Sequence, residues 1–401
     1  MRLKTFTKSG IAGRKVLARV DFNVPLTSDG KVADDTRINA HVPLIKELSD
    51  AGAKVALISH LGRPKGAPVA KYSLRPVAEE LSSVLGKKVG FAEDCVGAPA
   101  QGAVDALTPG GITLLENLRF HAEEEKNDAG FAKMLAAPFD VFIMDAFSAA
   151  HRAHASTKAV TDCLPSFAGP LLIREIEMLS AVRDDPKKPF MLILGGAKVS
   201  DKIGVIENML DSVDTIIIGG GMAFTFLKAQ GFEIGKSLCE EDRLEFSREM
   251  LRRAKAKGVK IILPDDVTAA SEISESASVS VVPVSAIPAD KLGLDIGPRT
   301  AESFCKALDA ARTVLWNGPM GVFETAPFAK GTEAIAARLA LITKNGALTV
   351  VGGGDSAAAI AKFGHEKDVT HVSTGGGASL EFFEGKTLPG VEPYVLPGVE
   401  G

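Results

Sequence analysis

Met191-Leu-Ile-Leu-Gly-Gly-Ala-Lys-Val-Ser-Asp-Lys202 is a short apolar run that breaks into a glycine pair, with two lysines following four residues apart. Bounded by glycine and too short for a helix, such a run is a buried strand entering a loop. The unit recurs in this half of the chain. Residues 215–218 run into Gly219-Gly220-Gly221, residues 348–351 into Gly352-Gly353-Gly354-Asp355-Ser356, and Thr374 into Gly375-Gly376-Gly377. Residues 260–263 and 313–316 complete this set of strands, and residues 16–20, 54–59, 112–116 and 141–145 form a second set in the first half. Longer amphipathic stretches alternate with them, the mark of βαβ units around mostly parallel sheets. The expected fold class is α/β, with two doubly wound, Rossmann-like domains. Between the sets, Gly169 and Pro170 open a segment whose Leu172, Ile176 and Leu179 recur at helical spacing, and Pro186 and Pro189 close it. The expected limits are a domain over 1–169, a linker helix over 170–186 and a domain over 187–386, with an active-site cleft between the domains.

Composition narrows the function. The net charge is −4, and neither the first 170 residues (+2) nor the remainder (−6) has the basic excess of a nucleic-acid surface. No run approaches the ~18 apolar residues of a membrane span. Lys4, Lys8, Arg14 and Lys15 interrupt the N-terminal segment where a signal-peptide core would lie. A cytoplasmic protein with neither membrane nor nucleic-acid partners is expected. Cys95, Cys163, Cys239 and Cys305 are 68, 76 and 66 residues apart, which excludes a CxxC pair and predicts reduced thiols.

In open α/β sheets ligands sit beyond the carboxyl ends of the strands. Glycine there lets the backbone approach a phosphate and form anion-binding nests. One glycine triplet is equally a tight turn, whereas three triplets and a pair in one half indicate an extended anion or nucleotide site. Neither G-x-x-x-x-G-K-[ST] nor G-x-G-x-x-G follows any of these strands, so the P-loop and dinucleotide fingerprints both fail. Lys198 and Lys202 would share one face at a helix start, unless they are a solvated surface pair. Asp355 suits either a Mg²⁺ ligand or a helix N-cap.

In the first half the strand ends are basic. Arg19-Val-Asp-Phe-Asn23, His60-Leu-Gly-Arg63, Glu116-Asn-Leu-Arg119 and Asp145-Ala-Phe-Ser-Ala-Ala-His-Arg152 close successive strands. Guanidinium forks match carboxylate and phosphate oxygens, and Arg63, Arg119 and Arg152 converge at one sheet edge. The histidines show no HExxH or other metal-ligand spacing; His60 and His151 are anion contacts at most. One half reads as a nucleotide holder and the other as a basket for a small anion.

Several of these segments, together with others, resemble the signatures of the phosphoglycerate kinase family in their order along nearly the whole chain. They are Lys15-Val-Leu-Ala-Arg-Val-Asp-Phe-Asn-Val-Pro25, Ser59-His-Leu-Gly-Arg-Pro64, Gly195 to Lys202, Trp316-Asn-Gly-Pro319 with Gly321-Val-Phe-Glu324, and Ser373-Thr-Gly-Gly-Gly-Ala-Ser379. The resemblance implies reversible phosphoryl transfer from 1,3-bisphosphoglycerate to ADP, giving 3-phosphoglycerate and ATP, with Mg²⁺ as cofactor. It implies that Asp21, Phe22, Asn23, Arg37, His60, Leu61, Gly62, Arg63, Arg119 and Arg152 contact the phosphoglycerate. The implied nucleotide contacts are Lys202, Gly219, Gly220, Gly293, Asn317, Glu324, Gly353, Gly354, Asp355 and Ser356, with Glu324 on the ribose and Asp355 on the metal. Arg37, Lys198, Lys202, Gly375 and Gly376 would surround the moving group. A hinge-bending monomer whose tail, 387–401, joins the first domain is also implied.

Two departures from the family pattern stand out: Ser148-Ala149 where Gly-Thr is common, and Ala18 where a larger apolar residue is usual. The first bears on the loop carrying His151 and Arg152, the second on packing. A carboxylate nucleophile, ionised at pH 7, needs no general base, which agrees with the absence of a protein-kinase H-R-D signature. A nicotinamide dehydrogenase is disfavoured by the missing fingerprint. A non-catalytic anion-binding protein is disfavoured by Arg37, Lys198, Lys202, Glu324 and Asp355 occurring together.

Overall fold

The computed structural model describes residues 1–397. The chain divides into two compact units, Met1–Glu177 with the segment beginning at Thr387, and Met178–Lys386. In the first unit, β1 (Lys15–Arg19), β2 (Lys54–Ile58), β3 (Val89–Ala92), β4 (Ile112–Leu115), β5 (Val141–Met144) and β6 (Ser166–Ala168) form one sheet in the order β3-β4-β2-β1-β5-β6. Every pairing in it is parallel. Near-continuous burial along β1, β2, β4 and β5 goes with their mostly apolar sequences, because helices cover both faces of such a sheet.

In the second unit, β7 (Phe190–Leu194), β8 (Thr215–Ile218), β9 (Lys260–Ile262), β13 (Thr313–Asn317), β14 (Leu348–Gly352) and β15 (His371–Val372) form the sheet β15-β14-β13-β7-β8-β9. Its pairings are also all parallel. The order reverses between β7 and β13, which is where such a sheet opens a crevice for ligands. Trp316 is wholly buried in the core beside it, and its indole N–H is satisfied by Gly318 O at 2.8 Å.

The strands expected from 16–20 through 348–351 are all present, with ends within one residue of expectation. The structure adds β3, β6 and a separate antiparallel sheet, β11-β10-β12, from β10 (Asp266–Ala270), β11 (Ser280–Pro283) and β12 (Leu292–Ile296). β11 alternates half-buried and exposed residues, and the three strands carry Asp, Thr, Ser, Pro and Gly, so this sheet lacks the apolar run that betrays a parallel strand. The strand expected to reach Thr374 ends at Val372.

The connecting helix is Pro170–Arg183 rather than 170–186, stopping short of Pro186 as the steric demand of proline requires. The boundary between the units falls within this helix. Residues 387–397 lie on the first unit. Lys4 N–H donates to Tyr394 O at 2.7 Å, Leu396 N–H to Arg2 O at 3.0 Å, and Gly390 N–H to Ala150 O at 2.8 Å. The last four residues of the expected tail lie outside the described residues. Among the described residues no helix is long and apolar enough to cross a membrane.

Candidate active site

In the first unit the loops after β1, β2, β4 and β5 carry the basic residues. Arg119 is nearly buried, and its Nη1–H donates to Gly62 O at 2.9 Å. Burial lowers its pKa, Glu125 opposes that, and the nearby charges of Arg152 and Arg63 lower it further. The three arginines of separate loops therefore share one field, a cationic basket with Arg63 and Arg152 exposed to solvent.

Asp21 is buried at the end of this basket. Arg37 pairs with its carboxylate, Ser148 Oγ–H donates to Oδ2 at 2.5 Å, and Asn23 N–H donates to Oδ1 at 3.0 Å. Burial pushes Asp21 up, yet Arg37 and these hydrogen bonds outweigh it and hold the pKa down at about 2. Asn23 Oδ1 in turn accepts Gly62 N–H at 2.9 Å, tying the first loop to the second.

Behind the basket, Arg19 lies in the core. It donates to Ser156 Oγ at 3.0 Å and to Val20 O, and Glu124 accepts from Ser156 N–H and Oγ–H at 2.9 and 2.6 Å. Arg19 Nη2 also meets His60 Nδ1 at 3.1 Å. A guanidinium only donates, so His60 Nδ1 is the acceptor and its proton sits on Nε2. Burial first, and Arg19 second, push the His60 pKa well below its usual value. His60 is thus a neutral donor, not an imidazolium.

In the second unit a cavity of about 470 Å³ gathers Gly195, Gly196, Lys198, Asp201, Lys202, Asn317, Gly318, Gly353 to Ser356, Gly376, Gly377 and Glu384. This is the size of a small-molecule site. It sits at the reversal of strand order, where the β7 and β13 loops cross so closely that a Cβ on Gly195 would lie 2.1 Å from Pro319 O. Only glycine fits there. Gly353 caps the helix Gly354–Lys362 at φ +90°, and Gly376 precedes the helix Gly377–Phe383 at φ +52°, so two helix starts open onto the cavity. Their free N–H groups favour anions. Lys202 is nearly buried and bonds Asn317 Oδ1. Burial lowers its pKa, against Asp201, Asp355 and Glu384, which raise it.

Several sequence expectations change in detail. Lys198 and Lys202 do not share a helix face, because the helix begins only at Ile203. The segment between them is a loop held by Ser200, whose N–H and Oγ–H bond Glu240 at 3.1 and 2.6 Å, yet both lysines line the cavity. The helix cap is Gly353, leaving Asp355 exposed in the first turn. Arg37, expected at the phosphoglycerate and the moving group, pairs with the Asp21 carboxylate.

Phe22 and Leu61 are core residues, so only their backbones can face a ligand, and those atoms already bond Ser59 Oγ and Asn117 Nδ2. Gly62 sits at φ +62° under Tyr72. Gly219, Gly220, Gly293, Glu324 and Gly375 do not line the 470 Å³ cavity. Gly219 packs on Met320, Gly220 on the Gly196 backbone, and Gly293 under the Phe224 ring. Ser356 Oγ accepts Gly318 N–H at 2.5 Å.

His41, Glu124 and Asp295 stand in no motif of the sequence, and Arg19 and Asp145 mark only strand ends there. Ser148 carried a signal as a departure from a pattern, and it contributes a hydrogen bond to Asp21. Asp94, Cys95 and His121 bring ligand atoms within 4.8 Å of one another. There Asp94 Oδ1 already accepts Cys95 N–H at 2.6 Å and pairs with His121 Nε2 at 2.7 Å, a hydrogen-bonded turn.

The family model described as phosphoglycerate kinase matches residues 6–386. The phosphoglycerate kinase of Synechococcus elongatus is 54% identical over 390 residues, covering 97% of each chain. That of Moorella thermoacetica is 57% identical over 378 residues, covering 94% of this chain and 95% of the relative. A cytosolic phosphoglycerate kinase of Triticum aestivum is 53% identical over 388 residues, 96% of each. Among solved structures, phosphoglycerate kinase from Coxiella burnetii superposes with a TM-score of 0.88 at 42% identity over 98% of each chain.

Proposed function

The chain belongs to the phosphoglycerate kinase family, and from that premise we propose how its residues divide the work of moving a phosphoryl group between 1,3-bisphosphoglycerate and ADP. In the ATP-consuming direction the acceptor is the carboxylate of 3-phosphoglycerate. It is ionised at neutral pH, so no side chain has to abstract a proton. What the protein supplies is charge and alignment.

Arg63, Arg119 and Arg152 grip the phosphate of the phosphoglycerate, while Asp21, Asn23 and the Nε2–H of His60 orient its other end, with Gly62 leaving room for it. The nucleotide phosphates take the cavity of Lys198, Lys202, Asn317 and Gly353 to Ser356, with Gly219, Gly220, Gly293 and Glu324 assigned to the nucleoside. Arg37, Lys198, Lys202 and the N–H groups of Gly375 and Gly376 surround the moving phosphoryl. They act most strongly as charge spreads over its oxygens.

Asp355 is the residue that would hold Mg²⁺. Its exposed carboxylate beside a phosphate-sized cradle fits an ion bound mainly through water and phosphate oxygens. When bound, the ion neutralises phosphate charge. The observation that carries the reading is the pairing of chemistries: a guanidinium basket without a poised base on one unit, and a glycine-walled, lysine-bearing cavity on the other. Incubation with ATP, Mg²⁺ and 3-phosphoglycerate, trapping the acyl phosphate with hydroxylamine, should yield hydroxamate in step with ADP. ADP release without hydroxamate would overturn the carboxyl acceptor.

A further inference from the structure

Arg37 and His41 stand one turn apart on the helix Thr36–Asp50, so one helix face presents both to the same place. Both reach Asp21, in different ways. Arg37 pairs with its carboxylate, and His41 Nε2 lies 2.9 Å from its backbone N–H. On the other side of the ring, His41 Nδ1 lies 2.7 Å from Asp145 Oδ2, and Asp145 Oδ1 accepts Leu171 N–H at 2.8 Å. His41 and Asp145 are at most 1% exposed. An amide N–H can only donate, so His41 Nε2 must be the bare nitrogen, and Nδ1 carries the proton that Asp145 receives.

We propose that His41 is a positioning residue for the reaction: held in the Nδ1–H tautomer by Asp145, it fixes the Asp21 backbone and thereby the carboxylate that orders Arg37. The inference rests on the substrate roles given above to Asp21 and Arg37. It has a physical reason. Asp21 follows the last residue of β1 by two positions, beyond the sheet's own register. His41 supplies the partner that a neighbouring strand would otherwise provide. Asp145, anchored to the first turn of the helix Pro170–Arg183, holds the ring rigidly enough to do so.

The tautomer can be read in the wild-type protein by ¹⁵N NMR of the imidazole. A protonated Nδ1 and a bare Nε2 are expected for His41, and the reverse assignment overturns the proposal. Kinetics test the role. His41→Ala should raise KM for 3-phosphoglycerate about tenfold through Asp21, the scale of one buried hydrogen bond, and lower kcat through Arg37, with KM for ATP unchanged. His41→Gln offers an acceptor oxygen toward Asp21 and a donor nitrogen toward Asp145, and should recover most of that loss. A purely structural role would lower the melting temperature of His41→Ala without this split in KM. Asp21→Asn separates the premise from the inference. If it leaves KM for 3-phosphoglycerate unchanged, the substrate role of Asp21 fails and the proposal falls with it. If it raises KM while His41→Ala does not, the positioning role alone is overturned.

Discussion

The two units prepare for anions by opposite means. The first spends side chains: Arg37, Arg63 and Arg152 face outward, and Arg119, Arg19, Glu124 and Asp21 form a charged layer beneath them. The second spends backbone: glycine turns and helix starts wall its cavity, and Lys198 and Lys202 supply the positive charge that lines it. Two buried aspartates show what this means energetically. Asp21, with a guanidinium and a hydroxyl on it, has its pKa held at about 2. Asp295 accepts only the N–H groups of Gly331 and Ile296, at 2.7 and 2.9 Å, and burial pushes it up to about 7. Backbone dipoles can cradle a charge that arrives with a ligand, but two of them do not hold a resident charge in the core as a paired cation does.

The contrast is broken most directly at Arg37. If its contact is made chiefly with the transferring group, Arg37→Ala lowers kcat by about 10² to 10³ while KM for 3-phosphoglycerate moves little. Arg63→Ala should do the opposite, raising KM about tenfold or more. Steady-state kinetics of the two decide it, and a near-normal kcat for Arg37→Ala removes Arg37 from the catalytic set.

On the backbone side, Gly353→Ala forces a side chain onto φ +90°, with its Cβ 3.0 Å from Asn317 Nδ2. KM for ATP should rise by about tenfold, the cost of a strained residue of this kind, and KM for 3-phosphoglycerate should stay as it was. A change in both would mean that the glycine wall serves folding and not the nucleotide alone.

The aspartates give the comparison a pH signature. Asp295 has a raised pKa, so its contribution to stability is complete below about pH 4 and is lost as pH rises through 7, on the order of a few kcal/mol. Asp21 has a lowered pKa, so its contribution is present above about pH 4 and is lost as pH falls through 2. His60 and His154, which burial keeps neutral, make stability rise with pH over the same range, so Asp295→Asn should move the slope of calorimetric melting between pH 4 and 8 in the positive direction, whatever that substitution does to the absolute stability. A slope unmoved in the variant would overturn this assignment.

The smallest effect expected is at Ser148. Ser148→Gly removes one hydrogen bond to Asp21, worth about 0.5–1.5 kcal/mol. It should raise the Asp21 pKa and increase KM for 3-phosphoglycerate a few-fold, measurable by carboxyl ¹³C NMR titration and kinetics. An unmoved Asp21 would show that Arg37 and the Asn23 N–H hold it without Ser148.

Much of this was legible in one dimension. Buried parallel strands must be apolar throughout, so the runs before Gly195, Gly219 and Gly352 announced the sheets. Ligand loops must follow such strands, so Arg63, Arg119 and Arg152, and the glycines after β7 and β14, stand where a ligand is expected. What only the tertiary structure decided is pairing across the chain. Asp145 meets His41 across 104 residues, Ser148 meets Asp21 across 127, and Arg19 meets Ser156 across 137. Such contacts leave no periodicity, because the sheet order that brings β5 beside β1 is a property of the packed layers and not of any local stretch. The sequence determined which residues stand at the strand ends. Packing determined which of them touch, and through burial and partners it gave Asp21 and Asp295, the same side chain, opposite shifts.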